Sequence, residues 1–99
     1  MAMRIRLALC LLLFSGGPAF AQATDVPLLI GGCQGCHGVS GQGGSGIPSI
    51  KGTHSRDEFI ALMRSFSANE KPATVMGRIS RGYTPEQIAL LAAHYARPQ

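Results

Sequence analysis

Two stretches of the chain repeat apolar positions at helical spacing, and another, ahead of them, is apolar without a break. Leu7 to Phe14 is that unbroken run, preceded by the basic residues Arg4 and Arg6. Ser15-Gly16-Gly17-Pro18 interrupts it, and Ala19-Phe20-Ala21 carries the small-x-small pattern at which secretory leaders are cut. Ala21-Gln22-Ala23 offers a second cut two residues on. The run is too short to span a bilayer comfortably. Residues 1–21 therefore read as a cleaved secretory signal, residues 22–99 as the exported domain, and no stable membrane anchor is expected.

In the exported part, Thr24-Asp25-Val26-Pro27 starts a helix, with Thr24 or Asp25 as N-cap, Pro27 in the first turn and Leu28-Leu29-Ile30 as apolar face. Ser55-Arg56-Asp57-Glu58 is a capping box opening a second helix. Phe59, Ile60, Leu62, Met63 and Phe66 form its apolar stripe. Thr84-Pro85-Glu86-Gln87 opens a third, whose Ile88, Leu91, Ala92 and Tyr95 share one face and whose end is marked by Pro98. That face can cross the first helix near Ile30 and Gly31. Gly31 and Gly32 are poor helix residues; they imply close approach of another backbone or of the edge of a bound flat ligand, or else a hinge. Between the helices lie a glycine-rich loop (Gly38, Gly41, Gly43, Gly44, Gly46), a polar connector from Ser67 to Thr74, and the aperiodic stretch Val75 to Tyr83.

Charge changes this picture little. The full chain carries a formal net charge of +4. Without residues 1–21, seven basic side chains stand against five acidic ones, a net of +2. Nothing in that balance points to nucleic acid or an anionic membrane. The glycine-rich loop is no phosphate cradle, since no strand precedes it and no lysine is placed for the role. Its small residues would let backbone pass close to a flat ligand.

The chemistry lies in Cys33-Gln34-Gly35-Cys36-His37, a C-x-x-C-H run. At this spacing two thiols on one turn can add to the two vinyl groups of a haem, and the adjacent histidine can ligate its iron. The competing readings are a thioredoxin-like redox pair, which expects a βαβ setting, a zinc knuckle, which needs four ligands, and a structural disulfide. A domain this small needs a staple, and one covalently held haem c would be one. Metal-bound histidines donate their second ring N–H to an oxygen. The rigid Ile47-Pro48 segment suits that task, so the Pro48 carbonyl is the expected acceptor for His37 Nδ1. For the sixth iron ligand, Met76 lies in the aperiodic stretch, where a thioether would be free of a regular helix. Met63 falls inside an apolar stripe and His54 just before a helix; both are weaker alternatives. His94 reads as solvated. No Ser/His/Asp set and no carboxylate pair is present, so no catalytic machinery of the chain's own is visible.

The order of C-x-x-C-H, glycine loop, Ile47-Pro48, helix, Met76 stretch and final helix resembles the class I cytochromes c. The resemblance implies an all-α fold with crossing N- and C-terminal helices. It also implies thioether bonds at Cys33 and Cys36, axial ligands His37 and Met76, and Pro48 orienting His37. The segment Ala73-Thr74-Val75-Met76-Gly77-Arg78-Ile79-Ser80-Arg81-Gly82-Tyr83-Thr84, followed by Glu86-Gln87-Ile88-Ala89-Leu90-Leu91-Ala92, is similar to the cytochrome subunits of flavocytochrome c sulfide dehydrogenases. That likeness implies a periplasmic electron-transfer subunit. It would accept electrons from an FAD-containing sulfide dehydrogenase subunit and pass them to a soluble acceptor. The alternative is a freestanding periplasmic carrier serving oxidases or reductases. Lys51-Gly52-Thr53-His54 departs from the glycine-glutamine of many relatives.

Overall fold

The computed structural model describes residues 24–99; the expected signal, residues 1–21, lies outside them. The fold is all-α: among the described residues no strand forms, and the one β-like feature is an isolated bridge between Gly44 and Ile47. The described residues form four helices in order, α1 (Val26–His37), α2 (Arg56–Ser67), α3 (Met76–Ser80) and α4 (Pro85–Tyr95).

Local chemistry explains most boundaries. Asp25 is the N-cap of α1, yet its side chain makes no capping bond; its carbonyl accepts the Leu29 N–H at 3.0 Å. The two capping boxes form as the sequence predicts. Ser55 Oγ accepts the Glu58 N–H at 3.2 Å while the Glu58 carboxylate accepts the Ser55 N–H at 2.7 Å. Thr84 Oγ1 and Gln87 Oε1 exchange the same pair of bonds at 3.2 and 2.9 Å. Each box satisfies two amides that the first turn cannot pair internally.

The aperiodic stretch differs from expectation: Met76 is not in irregular chain but opens the short helix α3. Its turn needs no stripe because it is held by packing on α2. The apolar face of α1 is also narrower than expected. Leu29 is buried and Ile30 packs against the core, but Leu28 is 67% exposed.

At the centre, α4 places Ile88, Leu91, Ala92 and Tyr95 against Leu29 of α1 and Phe59 and Met63 of α2. The Tyr95 ring stacks on Phe59 with centroids 6.1 Å apart and meets the edge of His94 at 4.7 Å. The α1–α4 crossing is clamped from the side. Tyr83 donates from its hydroxyl to the Leu29 carbonyl at 3.1 Å, and a Cβ on Gly32 would collide with that hydroxyl. Gly32 thus answers to a tyrosine side chain rather than to a backbone or a hinge, while Gly31 meets nothing.

The loop from residue 38 to 54 folds back on itself. The Gly43 N–H donates to the His37 carbonyl at 2.6 Å, and Ile50 and Lys51 both donate to the Gly41 carbonyl. Gly43 has φ +72°, and a Cβ there would sit 2.5 Å from the Ile47 carbonyl oxygen, so only glycine fits. The loop's close approaches are thus mostly protein on protein. Its far end is tied to α4: Gly52 N–H donates to the Tyr95 carbonyl at 2.8 Å, and Arg97 N–H to the His54 carbonyl at 2.9 Å.

Candidate functional site

The helix packing leaves a cavity of about 520 Å³ between α1, the glycine loop, α2 and α3. α1 contributes Cys33, Cys36 and His37 from its last turn. Positions i, i+3 and i+4 of a helix fall on one face, so the two thiols and the imidazole present themselves together. His37 is 7% exposed, and its Nδ1 lies 2.7 Å from the Pro48 carbonyl oxygen. A carbonyl can only accept, so Nδ1 carries the proton and Nε2 keeps a free lone pair. Such an arrangement fixes both tautomer and ring plane, as for metal-ligating histidines.

Both candidate methionines line the same cavity. Met76 is half-buried at the start of α3, while Met63 is buried in the α2 stripe among core residues. His54 also lines the cavity, half-buried rather than solvated. His94 is exposed on α4 and away from it. Among the glycines of the loop, Gly46 reaches the cavity wall. The remaining wall includes Ile47, Ile50, Phe59, Leu62, Phe66 and Ile79, an apolar lining interrupted by few polar groups.

The cysteines differ in setting. Cys36 is exposed and Cys33 is half-buried. Burial pushes the Cys33 thiol up, while the Tyr83 and Tyr95 hydroxyls that approach it pull the other way. Sequence reading gave these two tyrosines no place at the site: Tyr95 falls in the α4 core stripe and Tyr83 in aperiodic chain. The signal for Tyr95 is that a hydroxyl stands where a stripe needs only hydrocarbon.

This set fits a haem better than its rivals. Two thiols on one turn, an oriented imidazole and a thioether line one apolar cavity. Among the described residues no three His, Cys, Asp or Glu side chains converge as a metal-binding group, which a zinc knuckle requires. A thioredoxin-like pair expects a βαβ unit, and the described residues form no strand.

Comparison with known proteins agrees. The cytochrome c family model matches residues 17–95. Over 63 residues the chain is 43% identical to the cytochrome subunit of sulfide dehydrogenase from Chlorobaculum tepidum, an alignment covering 64% of this chain and 56% of that relative. It thus spans little more than half of the relative's length. A family match over most of the chain, on a cavity floored by C-x-x-C-H, has one reading: the chain belongs to the cytochrome c family, whose haem c is bound covalently through such a pair of cysteines.

Proposed function

We propose that this chain is a periplasmic electron-transfer cytochrome carrying one haem c. Cys33 and Cys36 hold it, and His37 and Met76 are the axial ligands. Bound there, haem supplies a reversible one-electron change at its iron. The residues supply the rest. His37 presents Nε2 because Pro48 holds Nδ1, Met76 offers a thioether from α3, and the apolar wall excludes water. The observation that carries this reading is the 2.7 Å bond from His37 to Pro48 beside a cavity that Met76 also lines. His/Met ligation leaves iron no vacant site, which suits electron transfer rather than ligand binding or peroxidation.

Within that role, the chain serves as the haem subunit of a sulfide-oxidising flavoenzyme. It takes electrons from an FAD-containing subunit and delivers them to a soluble acceptor, with no catalytic chemistry of its own. The named relative, a cytochrome subunit of sulfide dehydrogenase, supports this. So do Val39 and Val75, 80% and 51% exposed, the first just beyond the C-x-x-C-H turn and the second beside Met76. Val75 also lines the cavity, and exposed apolar side chains suit a lasting partner. The test is an absorption spectrum of the protein purified gently from its host. A c-type haem spectrum with comigrating flavin, and sulfide-dependent reduction of the haem, is the expected result. Haem with no flavin, even at low salt, would sink the subunit role.

One observation favours a freestanding carrier instead. Lys51, Arg56, His94 and Arg97 line a separate open groove, and basic surfaces speed salt-dependent encounters with acidic partners. Under that reading no flavoprotein copurifies, and reduction by partner proteins slows as salt rises.

A further inference from the structure

The Tyr95 hydroxyl has no purpose in packing. The residue is 1% exposed, and its ring already stacks on Phe59, meets the His94 edge and lies over Gly41, where a Cβ would come within 2.8 Å of it. Phenylalanine would make all of these contacts. The hydroxyl oxygen is buried and forms no complete hydrogen bond with any described residue. A buried, unpaired hydroxyl is unfavourable, so its presence asks for a reason.

Its surroundings supply one. Cys33 is half-buried and packs against the same core as Tyr95, and its thiol lies within electrostatic reach of the Tyr95 and Tyr83 hydroxyls. The two phenols are not equivalent. Tyr83 has committed its proton to the Leu29 carbonyl at 3.1 Å, whereas Tyr95 has a proton with nowhere else to go. As a free thiol, Cys33 can both donate and accept, so the direction of bonding is undetermined. Attachment of haem changes that. The Cys33 S–H adds across a vinyl double bond, forming an S–C bond and moving the hydrogen to the terminal carbon, with no oxidant or reductant consumed. The resulting thioether sulfur has no proton and can only accept.

We infer that Tyr95 is a positioning residue for the attached haem, donating its buried O–H to the Cys33 sulfur once that sulfur is a thioether. This rests on haem attachment at Cys33. The bond would tie α4 to one edge of the haem and set the torsion about that sulfur. A hydrogen bond there also draws electron density outward and favours the reduced iron.

The test uses the haem-loaded protein and Tyr95→Phe. With haem still covalently bound and its axial ligation spectrum unchanged, resonance Raman is expected to show one of the two C–S stretching bands moved and the other in place. The reduction equilibrium is expected to fall about twofold, or roughly 18 mV at 59 mV per tenfold for one electron. Tyr83→Phe, whose proton goes to Leu29, should leave both C–S bands where they are. In the wild type, a nuclear Overhauser effect should link the Tyr95 hydroxyl proton to the haem methine on Cys33, which decides the matter even if the variant does not fold. Unmoved C–S bands and potential in a more stable Tyr95→Phe, or absence of that Overhauser effect, would overturn the inference. Wild-type protein lacking a covalent haem would instead overturn the attachment on which it rests.

Discussion

Individual residues divide into those whose chemistry is written in spacing and those whose role depends on a neighbour far along the chain. Cys33, Cys36 and His37 belong to the first kind, because one helical turn brings them together wherever the helix lies. Met76 and Met63 belong to the second: both line the cavity, and spacing alone cannot say which one serves the iron. Their environments separate them. Met76→Ala should open the sixth position, so that the reduced protein binds carbon monoxide where the wild type does not. Met63→Ala should leave ligation intact and cost about 2–5 kcal/mol of stability as a core truncation, read from denaturant unfolding. Carbon monoxide binding to the Met63 variant alone would reverse the assignment. Tyr95 makes a pH prediction. Burial first, and the nearby Cys33 second, push its phenol from 10.0 up to about 12. The folded state therefore holds this proton more tightly than the unfolded chain. The stability so gained is complete below about pH 10 and is lost as pH rises through about 12. Tyr95→Phe should flatten that alkaline limb of an unfolding curve.

At the scale of elements, the capped helices were the most legible parts, since a capping box and an apolar stripe are local signals that agree with each other. Ser55→Ala should lower stability by roughly 1 kcal/mol through the lost cap on α2. The same cap is acid-sensitive. Hydrogen bonds from the Ser55 backbone and side chain hold the Glu58 carboxyl below its ordinary 4.5. Its contribution is present above that value and disappears as pH falls through the lower folded one, so Glu58→Gln should blunt acid unfolding. α3 was not legible. A single turn has no room for a stripe, and its helical form comes from packing on α2. The loop from residue 38 to 54 was legible as glycine-rich but not in its purpose. Gly43 is required by the carbonyl of Ile47 and Gly41 by the ring of Tyr95, contacts that a flat list of glycines does not contain.

Over the whole molecule, α4 links α1 to α2, and its C-terminal end holds the glycine loop through the Tyr95 carbonyl, while α3 packs on α2. Among the described residues the core is small, seven buried apolar side chains with Leu91 and Ala92 fully enclosed. Such a core needs a staple, so the doubly substituted Cys33→Ser, Cys36→Ser protein should lose most of its helical circular dichroism at room temperature. A cooperative fold persisting without haem would show that α4 packing alone suffices. The sequence by itself determined the attachment motif, two of the helix starts in bond-by-bond detail, and the face of α4 that is buried. These are consequences of residues within a turn or two of one another, where backbone geometry leaves little choice. The Pro48 bond to His37 was already expected from the rigid Ile47-Pro48 segment, whereas the crossing of the helices alone settled that Tyr83 locks onto Leu29 over Gly32 and that Tyr95 comes near Cys33. Those last two pairs join residues 54 and 62 positions apart in the chain. No local pattern encodes such separations, because they exist only once the helices have crossed.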